Sequence, residues 1–413
     1  MRYVVLGASA AGINGARELR SLDRDAEIIL ISKDDEIYSR CIIHHYLSGE
    51  RTLDELRFVE ENFIRDNNID WKKGVSVVDV NTVNKVVTLH NNEKISYDKL
   101  LVATGSRSVF PKIAHINECK NIYGFRDLDD VIVLKEKVKT AKNIVVLGGG
   151  LVGMDAVCGT LDLGINNITV VELADRVLSM QLDKRAASSY EKALEEKGVR
   201  LIFNNAAVGV ERDSNNNVSA VNLKDGGKIS CDLLIVTVGV KSNCEFLENS
   251  EVIIDECGVV VDSFGRTNVA DVYAAGDVTG RGPIWSVATK EGIVAANNMC
   301  FKEAQITDFF YVKSTMNFLG INTMAIGSNE APDESHKIEL YDDGSVYKKV
   351  IHKDGYITGA ILQNDIAYGG VITKLVANKI NASQVEKPLF KIDFSDFFNI
   401  DERNSELYYT EDI

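Results

Sequence analysis

The 413-residue sequence contains no apolar run near the roughly 18 residues that a membrane-spanning helix needs, so no membrane partner is expected. It also lacks any Cys-x-x-Cys pair. Its seven cysteines are odd in number and widely scattered, which excludes the common zinc and iron–sulfur spacings and any ordinary disulfide framework. No metal site is expected. Basic residues are in short supply: 46 Lys and Arg stand against 61 Asp and Glu, a formal charge of −15. That excludes a nucleic-acid-binding face, which needs clustered cations. A basic, cleavable leader is missing too, because strand-like residues begin at Arg2-Tyr3-Val4-Val5-Leu6, and the expected location is cytoplasmic.

What is present is the material of a globular protein: 45% hydrophobic and 26% charged residues, in a chain long enough for two or three domains. Two segments echo each other. The first, Arg2 to Ile31, reads as strand, glycine turn, alanine-rich helix and strand; the second, Asn143 to Glu172, repeats that order. Each is a βαβ unit of about 30 residues, the length a parallel crossover requires. Each is followed by a hairpin-like stretch, Val75 to Leu101 turning at Asn91-Asn92 and Val208 to Ser230 turning at Ser214 to Asn217. Residues from about 309 to 385 look strand-rich with one late helix, and the last stretch is acidic and aromatic with little periodicity. The expected fold class is α/β, with two Rossmann-like three-layer dinucleotide-binding domains and a small C-terminal α+β domain.

The first turn is Gly7-Ala8-Ser9-Ala10-Ala11-Gly12. Small residues there let backbone N–H groups approach a pyrophosphate at a helix N-terminus, and Gly7, Ala8, Ala11 and Gly12 are the candidate contacts. The second is Gly148-Gly149-Gly150-Leu151-Val152-Gly153, with Gly148, Gly150, Leu151, Val152 and Gly153 as candidates. Glu172 follows Gly148 by 24 residues, where a carboxylate accepts hydrogen bonds from a ribose 2′-hydroxyl and repels a 2′-phosphate. NADH is therefore expected in preference to NADPH. Gly276-Asp277 supplies a close backbone approach and a carboxylate for ligand hydroxyls at a helix start.

These motifs, with Ala103-Thr104-Gly105 and the run Thr267 to Asp277, make the chain resemble the FAD-dependent pyridine nucleotide oxidoreductases over about residues 1 to 385. The nearest likeness is to the NADH:rubredoxin reductase and nitrite reductase flavin-domain branch. The resemblance implies an FAD domain in two pieces (1–114 and 246–308), an NADH domain between them (115–245), a small C-terminal domain (309–385) and a tail (386–413). It implies FAD contacts at Ala103, Thr104, Gly105 and Asp277, with Trp285 over the flavin edge; Val77 and Gly239 complete the expected cofactor-binding set. One departure stands out. Where the family carries a glutamate for the adenosine ribose, this chain has Ser32-Lys33, expected to contact the ribose and a phosphate instead. The implied activity passes electrons from NADH through FAD to a small redox protein such as rubredoxin.

The segment Ile37 to Gly49 mixes two branches of that family. Cys41 stands where NADH oxidases and CoA-disulfide reductases keep a single redox cysteine, so an NADH oxidase or a CoA-disulfide or persulfide reductase is the alternative enzyme. Arg40 matches the arginine of the rubredoxin-reductase pattern. Tyr46 stands where a two-cysteine reductase has its second thiol, and Ala10 where a peroxidase has its histidine. A thiol beside Arg40 and near a flavin can have a depressed pKa; it can equally fill space with no chemistry. His45, where ferredoxin-reductase relatives place a lysine, is the candidate partner for a reduced flavin's charge. A non-catalytic flavin-binding regulator is the alternative outside enzymes.

Overall fold

The computed structural model describes residues 1–282, 284–307, 313–401, 403–404 and 406–409. Pro283 in the family-like run after Gly276 therefore lies outside the described residues, as does the expected boundary at 308–309.

Strands Arg2–Leu6 and Glu27–Ile31 are apolar and buried on both faces from their second residue onward, as a parallel sheet covered on both sides demands. They sit in a five-stranded parallel sheet in the order Val272–Ala274, Lys99–Val102, Arg2–Leu6, Glu27–Ile31, Ile69–Lys72. The chain thus leaves this sheet after residue 102 and returns to it at residue 272. Between those points a second parallel sheet forms, ordered Arg200–Ile202, Ile168–Val171, Ile144–Leu147, Leu233–Val236, Ile122–Gly124. The two crossings between the units lie side by side, where Ser106–Ser108 pairs antiparallel with Val240–Ser242.

The echo extends to the appended sheets. Val77–Asn81, Val86–Leu89 and Lys94–Ser96 form a three-stranded antiparallel sheet, and Ala207–Arg212, Val218–Leu223 and Lys228–Ser230 form its counterpart. The first has a turn at residues 82–85 besides the one at Asn92; Lys85 there adopts φ 51°.

A third unit is a five-stranded antiparallel sheet ordered Lys313–Phe318, Ile321–Gly327, Tyr356–Gln363, Tyr347–Lys353, Lys337–Asp342, with helix Gly369–Ala377 on it. It docks on helix Lys184–Glu196 of the second unit through a buried polar network. Asp183 caps that helix by accepting from the Ala186 N–H (2.9 Å), and its other oxygen accepts from Tyr347 (2.6 Å) and Lys349 (2.9 Å). Lys349, 5% exposed, also donates to the Asn329 carbonyl. Beside it the Tyr190 hydroxyl reaches Thr323 (2.6 Å), and Gln363 donates to the Ala186 carbonyl. In the tail, Phe398–Asp401 pairs antiparallel with Glu406–Tyr409, an order its composition did not announce.

Candidate active site

Each glycine turn closes in the same way. The Gly7 N–H donates to the Ile31 carbonyl, and the Gly148 N–H to that of Val171. A Cβ on Gly12 would stand 1.8 Å from the Gly7 carbonyl oxygen, and one on Gly153 2.0 Å from that of Gly148. Only glycine fits these two equivalent places, because the helix start presses on the turn that opened it. The helices Ala10–Leu22 and Leu151–Leu161 then present free N–H groups at their first turns.

One cleft of about 1000 Å³ runs from the first turn to the start of the second helix. Gly7, Ala8, Ala11, Ser32, Lys33, Arg40, Cys41 and His45 line it, as do Val77, Ala103, Thr104 and Gly105. Gly276, Asp277, Trp285, Leu151 and Val152 complete the sequence-derived residues found there. Gly12 lies beneath the turn. Gly148, Gly150 and Gly153 form the second turn, Glu172 follows the next strand and Gly239 follows strand Leu233–Val236, all outside this cleft; Glu172 spans the turn, accepting from the N–H groups of Gly149 (2.5 Å) and Ala174 (2.7 Å). Arg176 is committed within its own loop, to Asp175 (2.7 Å) and the Leu182 carbonyl (2.9 Å).

The cradle suits FAD. Gly276 adopts φ 80°, and a Cβ there would meet the Ala11 and Ala288 methyls at 3.0 and 3.4 Å, so two backbone turns converge on one wall. Asp277 accepts from Ser106 Oγ (3.0 Å) and pairs with Arg126, whose Nε donates to the Ser106 carbonyl (2.9 Å). Arg126 places a cation in the cleft that sequence reading missed. Trp285 meets Phe58 edge-on at 4.7 Å between ring centroids. Strand Lys313–Phe318 of the third unit supplies the remaining wall.

Three polar candidates are engaged differently from the expectation. Ser32 donates to the Asp34 carbonyl (2.7 Å) and accepts from Trp71 (2.9 Å), while Lys33 pairs with Asp127 (2.8 Å). Arg40 is held by Asp34 (2.7 Å) and Asp127, with its guanidinium 4.9 Å from the Tyr38 ring centre. Its charge answers two carboxylates, not the neighbouring thiol. Solvent reaches Cys41 through the open cleft, but protein encloses it elsewhere; that burial, with Asp155 nearby, pushes its thiol up to about 11. Of the two readings left open for the thiol, a pKa depressed by Arg40 and an inert filler, the raised value does not favour the first.

His45 lines the cleft but pairs outward with Glu50 (2.5 Å). Its neighbour His44 is the one that meets a buried acid: Nδ1 lies 3.3 Å from Asp155 Oδ1, close but not aligned as a hydrogen bond. Burial lowers His44 to about 4, helped by His45, and raises Asp155 to about 8. Both directions favour a protonated Asp155 beside a neutral His44 over an ion pair. The signal for Asp155 was its place as the one charged residue in the otherwise apolar or small helix Leu151–Leu161.

Two dinucleotide-binding units sharing one cleft define an oxidoreductase that joins FAD to a nicotinamide dinucleotide. A family model described as pyridine nucleotide-disulphide oxidoreductase matches residues 1–292, and one described as rubredoxin NAD+ reductase C-terminal domain matches residues 313–380. Nitrite reductase [NAD(P)H] of Bacillus subtilis is 25% identical over 94% of this chain and 48% of its own length, so the chain spans about half of that relative. Rubredoxin-NAD(+) reductase of Pseudomonas putida is 30% identical, covering 67% of this chain and 71% of that protein. Among solved structures, the ferredoxin reductase for the CYP199A2 system of Rhodopseudomonas palustris superposes with a TM-score of 0.84 at 22% identity, over 94% and 97% of the two chains.

The chain belongs to the pyridine nucleotide-disulphide oxidoreductase family. Membership of an enzyme family leaves the non-catalytic alternative without support.

Proposed function

We propose that the chain carries electrons from NADH, by way of FAD, to a small redox protein of the rubredoxin kind. The observation that carries this reading is the setting of Cys41. No cation is committed to its thiol, its pKa is pushed up, and a thiol near 11 is almost entirely protonated at neutral pH. The match of residues 313–380 to a rubredoxin reductase C-terminal domain supports the same acceptor class.

FAD, when bound, supplies the conversion of a hydride into electrons that leave singly. The chain's own residues do the rest. The Gly7–Gly12 turn, Arg126 and Asp277 hold the flavin dinucleotide. The Gly148–Gly153 turn and Glu172 hold NADH, and Glu172 disfavours a 2′-phosphate by charge. Asp155 keeps a proton at the cleft wall beside neutral His44. Trp285 and strand Lys313–Phe318 cover the site from water.

Cys41→Ser tests the acceptor class. NADH-driven reduction of rubredoxin is expected to stay within about twofold of the wild-type rate, because serine removes only the nucleophile. Loss of turnover by orders of magnitude with oxygen, CoA disulfide or polysulfide, while flavin bleaching by NADH persists, would instead establish the thiol-dependent reading. Glu172→Ala is expected to narrow the NADH preference in steady-state kinetics; equal use of NADPH by the wild type would remove the role given to Glu172.

A further inference from the structure

Helix Trp285–Met299 carries a carboxyl group that the electron-transfer reading leaves without a task. Glu291 is 4% exposed. Its Oε2 accepts from the Gly276 N–H at 2.6 Å, and its Oε1 is buried without a hydrogen-bond partner among the described residues. An ionised carboxylate so placed would forfeit the hydration of a full charge, and an orphaned oxygen makes that worse.

Its surroundings offer little compensation. On the turn that follows Gly276, Asp277 is already paired with Arg126, and Arg281 donates to the Asp262 carbonyl (3.0 Å). The helix packed against it, Ala10–Leu22, presents small residues: a Cβ on the adjacent Gly292 would stand 2.2 Å from the Ala11 carbonyl oxygen. Its polar members nearby are taken, Asn14 by the Ala10 carbonyl and Glu18 by Asn297. Burial accordingly raises Glu291 to about 7, against smaller lowering by the Gly276 N–H and Arg281.

The location gives this group its meaning. Gly276 closes on Ala11 of the first glycine turn, the place where a βαβ unit receives the pyrophosphate of its dinucleotide. A bound anion there raises the cost of a neighbouring carboxylate still further. We propose that Glu291 holds the Gly276–Asp277 turn as the neutral acid when FAD is bound, so that FAD binding takes up a proton. Oε2 of the neutral acid still accepts from Gly276, and Oε1 ceases to be a buried charge. By linkage, affinity for FAD is highest below neutral pH and declines as pH rises through the free-state value, until the bound form also ionises.

The proposal rests on FAD occupying the cleft, and the apo-protein titrated with FAD separates the two. Flavin fluorescence quenching between pH 6 and 9 is expected to show the dissociation constant rising by up to about tenfold per pH unit above neutrality. Calorimetry at pH 8 in two buffers of different ionisation enthalpy is expected to show uptake approaching one proton. Glu291→Gln, which keeps the acceptor for Gly276, is expected to abolish both effects while still binding FAD. Asp155 is a cleft-lining carboxyl whose raised pKa also falls in this range, so Asp155→Asn serves as the comparison and is expected to retain the uptake. No uptake by the wild type, uptake that survives Glu291→Gln, or uptake lost in Asp155→Asn would overturn the assignment. If Glu291→Gln fails to fold, wild type and Asp155→Asn still decide it. Protein that binds no FAD at any pH would remove the cofactor itself.

Discussion

Cys41, His44 and Asp155 stand within one wall of the cleft, and their protonation follows from what surrounds each rather than from residue type. Arg40 is adjacent to Cys41 in sequence yet committed to Asp34 and Asp127, so neighbourhood along the chain could not decide between the two readings of the thiol. His45 was legible as a candidate, but the helix Ile43–Ser48 turns it toward Glu50 and sets His44 against Asp155. Both line the cleft, and which of two consecutive histidines meets the buried acid depends on a helix phase that six residues leave undetermined. Asp155 yields a stability prediction with a definite sign. Its folded pKa is raised, so the folded state gives up stability as pH climbs from the ordinary carboxylate range toward about 8. Asp155→Asn is therefore expected to melt higher than wild type at pH 8, by an amount on the order of a few kcal/mol, and to show almost no difference near pH 4. Equal melting temperatures at pH 8 would show that Asp155 is not a buried acid.

At the scale of elements, the glycine turns and the strands around them were readable because a parallel strand buried on both faces writes a continuous apolar run. The one late helix expected within residues 309 to 385 is Gly369–Ala377. The turn at residues 82–85 was less visible, since Thr82-Val83-Asn84-Lys85 contains no glycine or proline. The equivalence of the two turns gives paired substitutions with opposite readouts. Gly12→Ala forces a methyl against the Gly7 carbonyl and is expected to yield protein with little bound flavin by absorbance. Gly153→Ala makes the same collision at Gly148 and is expected to stay yellow, with flavin reduction needing several-fold more NADH in stopped-flow mixing. Flavin lost from Gly153→Ala and kept by Gly12→Ala would reverse the assignment of the two units.

For the whole molecule, the joint between the second and third units was beyond sequence reading. Asp183 and Lys349 are 166 residues apart, and nothing in the stretch that ends at Asp183 points to a partner so far along the chain. Each is a buried charge whose ion pair spans the joint, although Lys349 also meets Glu330 of its own unit (3.2 Å). Lys349→Met strips the buried Asp183 of its counter-charge, which is expected to cost about 3 kcal/mol or more and lower the melting temperature clearly. A melting temperature unchanged in Lys349→Met would mean that water, not the lysine, satisfies Asp183.

That joint also carries a wall of the cleft from one unit to another. Strand Lys313–Phe318 belongs to the third unit, is carried on the second, and borders the cleft of the first. If the proposed electron transfer holds, that wall can be remodelled through a segment that contains neither glycine turn. Grafting residues 313–380 from a relative with a different acceptor should redirect the electrons while leaving both dinucleotide sites as they are.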